Sequence, residues 1–299
     1  MELHTCLWSD VDAFDFIVDD FKPLRAAFPR MTLEVHSNAE SFLSTADQVE
    51  HLLTWEFPED WYVKCPKLKQ IMTPAAGRDW IAPDPNGKVN VVHGTFHGEI
   101  MAESMLSALL YMNHRMPSML RNHASRGWDR NLQKDARLLR HQRVLIIGFG
   151  SIGQVCGQLI SATGAEVIGV RRTNAGIENG MQVVTTDHLV DILPTADHVV
   201  LVLPGDSSTD NFLTAEMIRL CKPGVYLYNF GRGNALTTST VMEVIGDIGG
   251  AFLDVTDEEP LPKDSPLWQQ PNVMITPHSS CIYQDYKTCF VEEVISHLT

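Results

Sequence analysis

Apolar positions along the chain follow two periods. Short runs at 32–35, 51–55, 68–72 and 89–93 are rich in Val, Ile, Leu and Met and are separated by turn-forming stretches, which predicts four strands in the first third of the chain. Between 98 and 121 the period changes. Ile100, Met101, Met105, Leu106, Leu109, Leu110 and Met112 recur at helical spacing, so a long helix is expected, bent or broken by Pro117. Its Met-rich stripe reads as core or subunit interface rather than as a cofactor site. From 144 onward the alternation resumes. A fully apolar strand is expected at 144–147, a helix at 154–163 closed by Gly164, and a second strand at 166–170. Further strands are expected at 198–203, 224–229, 251–255 and 273–276. Strands spaced in this way predict an α/β protein with parallel sheets and helical crossovers.

Bulk properties narrow the reading. A length of 299 residues suits two domains, and 44% hydrophobic residues can bury a sizeable core. The formal net charge of -14 disfavours a nucleic-acid partner, because phosphate binding needs clustered Lys and Arg. No run of about 18 apolar residues is present, so no membrane span is expected. The opening Met1-Glu2-Leu3-His4-Thr5 has no basic segment leading into an apolar run, which predicts no signal peptide. Cys6, Cys65, Cys156, Cys221, Cys281 and Cys289 form no CxxC pair and no zinc-finger spacing, so reduced thiols, no bound metal and a cytoplasmic location are expected.

The segment 148–153 reads Gly-Phe-Gly-Ser-Ile-Gly between an apolar strand and a helix, with a second strand at βαβ distance. That context makes it a dinucleotide-binding turn. Gly148 permits the tight turn, Gly150 leaves room for a diphosphate, and Gly153 lets helix and strand pack closely. The diphosphate would sit on the helix N-terminus, at the free N–H groups of Ser151, Ile152 and Gly153. NAD-binding members of this fold carry an acidic residue at the end of the second strand. Here the chain reads Val170-Arg171-Arg172-Thr173. Two guanidinium groups can pair with a 2′-phosphate, so NADP is the expected cofactor, with NAD still possible.

Three further segments end predicted strands, on the edge where open α/β sheets bind ligands. They are Tyr228-Asn229-Phe230-Gly231-Arg232-Gly233, then Leu253-Asp254-Val255-Thr256-Asp257-Glu258-Glu259-Pro260, then Ile275-Thr276-Pro277-His278-Ser279-Ser280. In this order and spacing, from about Ala102-Glu103 through His278, the chain resembles the D-isomer-specific 2-hydroxyacid dehydrogenase family. The arginines after the second strand and the Glu-Pro-Leu-Pro ending bring it nearest to the glyoxylate/hydroxypyruvate reductase branch. Residues 73–79 match weakly.

The resemblance implies two Rossmann-like or flavodoxin-like domains with an active-site cleft between them. Residues 1–96 and 282–299 would form the substrate domain and 97–281 the dinucleotide-binding domain, with helices near 98–120 and 280–299 as the hinge. It implies a homodimer that interconverts a small 2-oxo acid and the D-2-hydroxy acid. Arg232 would hold the substrate carboxylate and polarise the carbonyl. His278 would be the general acid and Glu259 its carboxylate partner, five residues after Asp254. Asp254 would lie near the nicotinamide carboxamide. Further cofactor contacts would come from Leu203, Pro204, Thr209, Phe230, Gly231 and Ser280. Ala76 and Gly77 would offer backbone N–H groups to the substrate, and Trp55 and Tyr283 would wall its pocket. Glu259 argues against the formate dehydrogenase branch, which has a neutral amide there. Two departures bear on the substrate: a Thr- and Ser-rich stretch at 234–248, and Ser279-Ser280-Cys281 after the histidine. A non-enzymatic, dinucleotide-sensing regulator is the other class this family contains. The lack of a tail beyond the two expected domains favours the enzyme.

Overall fold

A computed structural model describes residues 1–134 and 136–299. The chain divides into two compact units, Met1–His97 with Ile282–Thr299, and Gly98–Cys281. Each is an α/β layer structure.

The first unit is built on β1 (Glu2–Cys6), β2 (Thr32–Val35), β3 (His51–Thr54), β4 (Gln70–Thr73) and β5 (Asn90–His93), in the order β2-β1-β3-β4-β5. All the pairings are parallel. The four expected strands are present within one or two residues. β1 is a fifth, which hydrophobic patterning misses because His4 and Thr5 are buried polar residues on a strand flanked by β2 and β3. Phe42, Phe57, Trp61 and Tyr62 pack with Cys6, Leu52 and Ile71 in the core of this unit. The closing helix Tyr286–Leu298 buries Tyr286, Phe290, Val291 and Val294, one stripe at helical spacing. Its aromatic residues meet the rings of Phe14, Phe16 and Phe96.

The second unit is built on β6 (Arg143–Ile147), β7 (Glu166–Arg171), β8 (Gly176–Glu178), β9 (Met181–Thr185), β10 (His198–Leu201), β11 (Tyr226–Asn229), β12 (Gly250–Leu253) and β13 (Val273–Ile275). The sheet order is β13-β12-β11-β10-β6-β7-β9-β8, parallel except for the edge pair β8 and β9. Residues of β6 alternate between two cores. Leu145 and Ile147 join one, while Val144 and Ile146 join the other. Both faces of the sheet are therefore buried, as a near-continuous apolar strand requires. The order reverses between β6 and β10, the switch point where ligands bind in such sheets.

The methionine stripe is core: Met101, Met105, Leu109 and Met112 pack with Cys156 and Ile160. The long helix does break, but before the proline. It runs His97–Asn113, Arg115 takes a left-handed φ of 56°, and a second helix spans Met116–Ala124. Pro117 sits in the first turn of that second helix, where its missing N–H is not needed. The helix after the glycine turn starts at Ser151 rather than 154. The β8–β9 hairpin was not expected from the sequence. Among the described residues, no helix is long and apolar enough to cross a membrane.

Candidate active site

The glycine turn lies at the switch point. Gly148 has φ +99°, and a Cβ there would stand 2.2 Å from the Val202 carbonyl oxygen after β10. Only glycine fits both restrictions. A Cβ on Gly153 would stand 2.4 Å from the Gly148 carbonyl oxygen, so the helix can seat itself this close to the strand only with glycine. Gly150 differs: a Cβ there would meet nothing within 4 Å. It faces open space and caps the helix Ser151–Ser161 without a side-chain hydrogen bond. The helix's first N–H groups thus receive no capping side chain from this position, and the dipole makes this end attractive to an anion. An open cradle beside an uncapped helix start fits a dinucleotide diphosphate.

The two arginines after β7 are not equivalent. Arg171 is half-buried; it donates to the Asn174 carbonyl at 2.6 Å and pairs with Glu178 on β8. Arg172 and Thr173 are exposed. Across the sheet reversal, Leu203 and Pro204 begin a loop that Thr209 closes. The buried Thr209 hydroxyl lies 2.7 Å from the carbonyl oxygens of Pro204 and Asp206. Hydrogen bonds from Ser208, then burial opposing them, and the charge of Arg172 leave the Asp206 carboxyl below the usual carboxylate range.

Arg232 follows β11. The fully buried Asn229 braces its loop, donating to the Arg232 carbonyl at 3.0 Å and accepting from the Gly231 N–H at 3.1 Å. Gly205 lies against the arginine's stem, because a Cβ there would be 2.9 Å from Arg232 Cγ. Phe230 is buried in the core of this unit and stacked on Phe252. Asn229 and Gly205 escaped the sequence reading, since neither residue type signals such a role outside its fold.

His278 and Glu259 meet. His278 Nδ1 lies 2.9 Å from Glu259 Oε2, and the Thr256 N–H donates to the other carboxylate oxygen at 3.1 Å. Burial works to raise the Glu259 carboxyl, but the His278 contact, the Thr256 N–H and the Arg232 charge outweigh it and leave it below its ordinary value. The carboxylate is thus ionised at neutral pH. With Nδ1 taken, Nε2 is the ring nitrogen left to face a reactant. His278 itself sits at φ +49°, its N–H held by the Asp254 carbonyl at 2.8 Å.

Asp254 is the hub of this segment. It is 2% exposed, and its carboxylate accepts from Thr276 Oγ1 at 2.7 Å, Ser279 N–H at 2.9 Å and Ser280 N–H at 3.1 Å. Three hydrogen bonds to one carboxylate fix the loop that carries the histidine. Ser280 is held at its other end as well, its carbonyl accepting from Ser104 at 2.9 Å.

In the first unit, Ala76 and Gly77 lie half-buried on the loop after β4. The Gly94 N–H, just after β5, donates to the Ala75 carbonyl at 3.2 Å and ties this loop to the sheet. Beside it, the pKa of His93 is lowered, by burial first and by Arg78 second, against the nearby backbone of Ala75 and Gly77 and the charge of Asp79. Trp55 follows β3, donates its indole N–H to the Phe14 carbonyl at 3.0 Å and stacks on Tyr286. It walls a cavity of about 260 Å³ with Cys6, Trp8, Ser9, Phe14, Glu56 and Trp80. The cavity lies at the ends of β1 and β3, where this sheet's strand order reverses. Tyr283 is partly exposed and caps no part of this cavity's lining.

Glyoxylate/hydroxypyruvate reductase B of Pectobacterium carotovorum is 26% identical over 286 residues, covering 91% of this chain and 87% of its own. An uncharacterized protein of Corynebacterium melassecola is 31% identical over 189 residues, 62% of this chain and 61% of that one. A crystal structure of a D-isomer specific 2-hydroxyacid dehydrogenase from Xanthobacter autotrophicus Py2, in complex with NADPH and MES, superposes with a TM-score of 0.85. It is 25% identical and covers 99% of this chain and 94% of its own. Residues 106–280 match the profile of the NAD binding domain of the D-isomer specific 2-hydroxyacid dehydrogenases, and the chain belongs to that family.

Proposed function

We propose that the chain reduces a small 2-oxo acid to the D-2-hydroxy acid, and catalyses the reverse, with NADP(H) preferred and NAD(H) accepted. The observation that carries this reading is the 2.9 Å contact between His278 and Glu259, on the same strand-end edge as the glycine turn. The bound dinucleotide supplies the hydride. Gly148–Gly153 with Ser151 and Ile152 would hold its diphosphate, Arg172 and Thr173 its 2′-phosphate, and the loop from Leu203 to Thr209 with Gly231 and Ser280 would line its site. Arg232 binds the substrate carboxylate and polarises the adjacent carbonyl. As C2 becomes tetrahedral, the charge on its oxygen is neutralised by a proton from His278 Nε2. Glu259 holds the imidazolium until then. Ala76 and Gly77 are proposed to offer N–H groups to the substrate, with Trp55 and Tyr283 shaping its seat. The same reading makes the protein a cytoplasmic homodimer, supported by six free thiols and the family resemblance.

The test is NADPH and NADH oxidation with glyoxylate, hydroxypyruvate, pyruvate and branched 2-oxo acids. Turnover with at least one acid is expected, and no turnover with any would overturn the reading in favour of a dinucleotide sensor. Arg172→Ala should raise the KM for NADPH by about tenfold, the loss of one charge-assisted contact of about 1.4 kcal/mol, and leave NADH unchanged. Equal effects on both cofactors would refute the 2′-phosphate assignment. Asp254→Asn turns an amide N–H₂ toward N–H donors that now have acceptors. It should lower kcat by about 10²-fold through misplacement of His278, measurable in initial rates beside a lowered Tm.

A further inference from the structure

Away from the residues assigned to the reaction, β1 and β2 bring three ligating side chains to one face of the first sheet. His4 and Glu34 are register partners in this parallel pair, and His36 lies two residues beyond Glu34. Alternation along the strands therefore places all three together. His4 Nδ1 is 3.0 Å from His36 Nε2 and 3.5 Å from Glu34 Oε2. The three ligand atoms all lie within 4.8 Å of one another. A tetrahedral ion bonded at about 2.0–2.1 Å to nitrogen or oxygen keeps its ligand atoms about 3.3–3.4 Å apart. The two separations made by His4, 3.0 and 3.5 Å, bracket that value.

The far sides of both rings are arranged to match. His36 Nδ1 is 3.1 Å from Ser41 Oγ, which turns Nε2 toward His4. Among the described residues, His4 Nε2 is buried without a hydrogen-bond partner, with the Glu2 carboxylate 3.7 Å away. Such a buried orphan is uncommon in a finished structure. A ring that binds a cation through Nδ1 carries its proton on Nε2, and a carboxylate beside that proton is the usual orienting partner of a metal-bound histidine. His4 and His36 are buried, while the Glu34 side chain is 44% exposed and gives an ion a route in from solvent.

We propose that His4, Glu34 and His36 bind one divalent transition-metal cation of the Zn²⁺ class, with Glu2 orienting His4. Two imidazole nitrogens and one carboxylate oxygen suit such a borderline ion, and a water completes the tetrahedron. The two carboxylates offset its charge. β2 is the edge strand of the sheet, so the ion clasps that edge to its neighbour.

The experiment uses the full chain, stripped with chelator, dialysed, and titrated with Zn²⁺ and separately with Co²⁺. One equivalent should bind, Tm should rise as it does so, and Co²⁺ should show the intense visible bands of tetrahedral coordination. Glu34→Gln and His36→Gln should each bind Zn²⁺ at least about tenfold more weakly and lose the rise in Tm, and Glu2→Gln should weaken binding by about 10–100-fold. Glu34 is partly exposed, so its variant reports even where a change at a buried histidine disturbs folding. Unaltered Zn²⁺ affinity in folded Glu34→Gln, or no uptake and no change in Tm in the parent chain, overturns the proposal.

Discussion

Replacing His278 by alanine is expected to lower kcat for 2-oxo acid reduction by about 10²–10⁴-fold while NADPH affinity stays nearly unchanged. The geometry dictates this split. The imidazole's Nδ1 is engaged by Glu259 at 2.9 Å, so the ring acts through Nε2, on the substrate rather than on the dinucleotide. One complication is backbone strain. His278 occupies φ +49°, a region that alanine tolerates poorly and asparagine well. His278→Asn therefore serves as the companion variant, keeping the turn while removing the proton donor. Both should be slow. If either retains more than about a tenth of the parent kcat in single-turnover and steady-state rates, a contribution below about 1.4 kcal/mol, His278 is not the acid.

The parts of this site that were legible in the sequence share a property: each lies just after an apolar run, where the chain itself announces a strand end. Gly148, Arg232, Asp254 and His278 follow β6, β11, β12 and β13 in that way. What was not legible depends on partners brought in from elsewhere. β1 carries the buried polar residues His4 and Thr5, which give no strand signal until the register with β2 and β3 is known. Arg171 and Arg172 look alike in the sequence. They differ only because the β8–β9 hairpin carries Glu178 back to Arg171. Asn229 braces the Arg232 loop from a strand end, a role that no local pattern encodes. The sequence predicts a bend or break at Pro117, yet that proline sits in the first turn of a helix. The break falls at Arg115, where the chain turns left-handed before Met116.

Arg232→Ala is expected to lower kcat/KM by about 10²–10³-fold or more, with KM and kcat both impaired. A guanidinium has two tasks on a 2-oxo acid. Its fork grips the carboxylate, which is felt equally in ground and transition states and appears in KM. Its charge beside the carbonyl oxygen grows in value as that oxygen becomes an alkoxide, and this appears in kcat. Lysine can supply the charge but not the fork. Arg232→Lys should thus recover part of kcat and little of KM, a pattern that an arginine serving only to hold the Asn229 loop would not produce. The loop itself is secured by the backbone of residue 232, whose carbonyl accepts from Asn229, so neither substitution removes that contact. The stem packs on Gly205, and the space there suits the lysine chain as well as the arginine's. Measured kcat and KM for the best 2-oxo acid, beside NADPH affinity from fluorescence, separate the two tasks. If Arg232→Ala shifts neither parameter beyond about threefold, under 1 kcal/mol, the carboxylate is held elsewhere and the assignment fails.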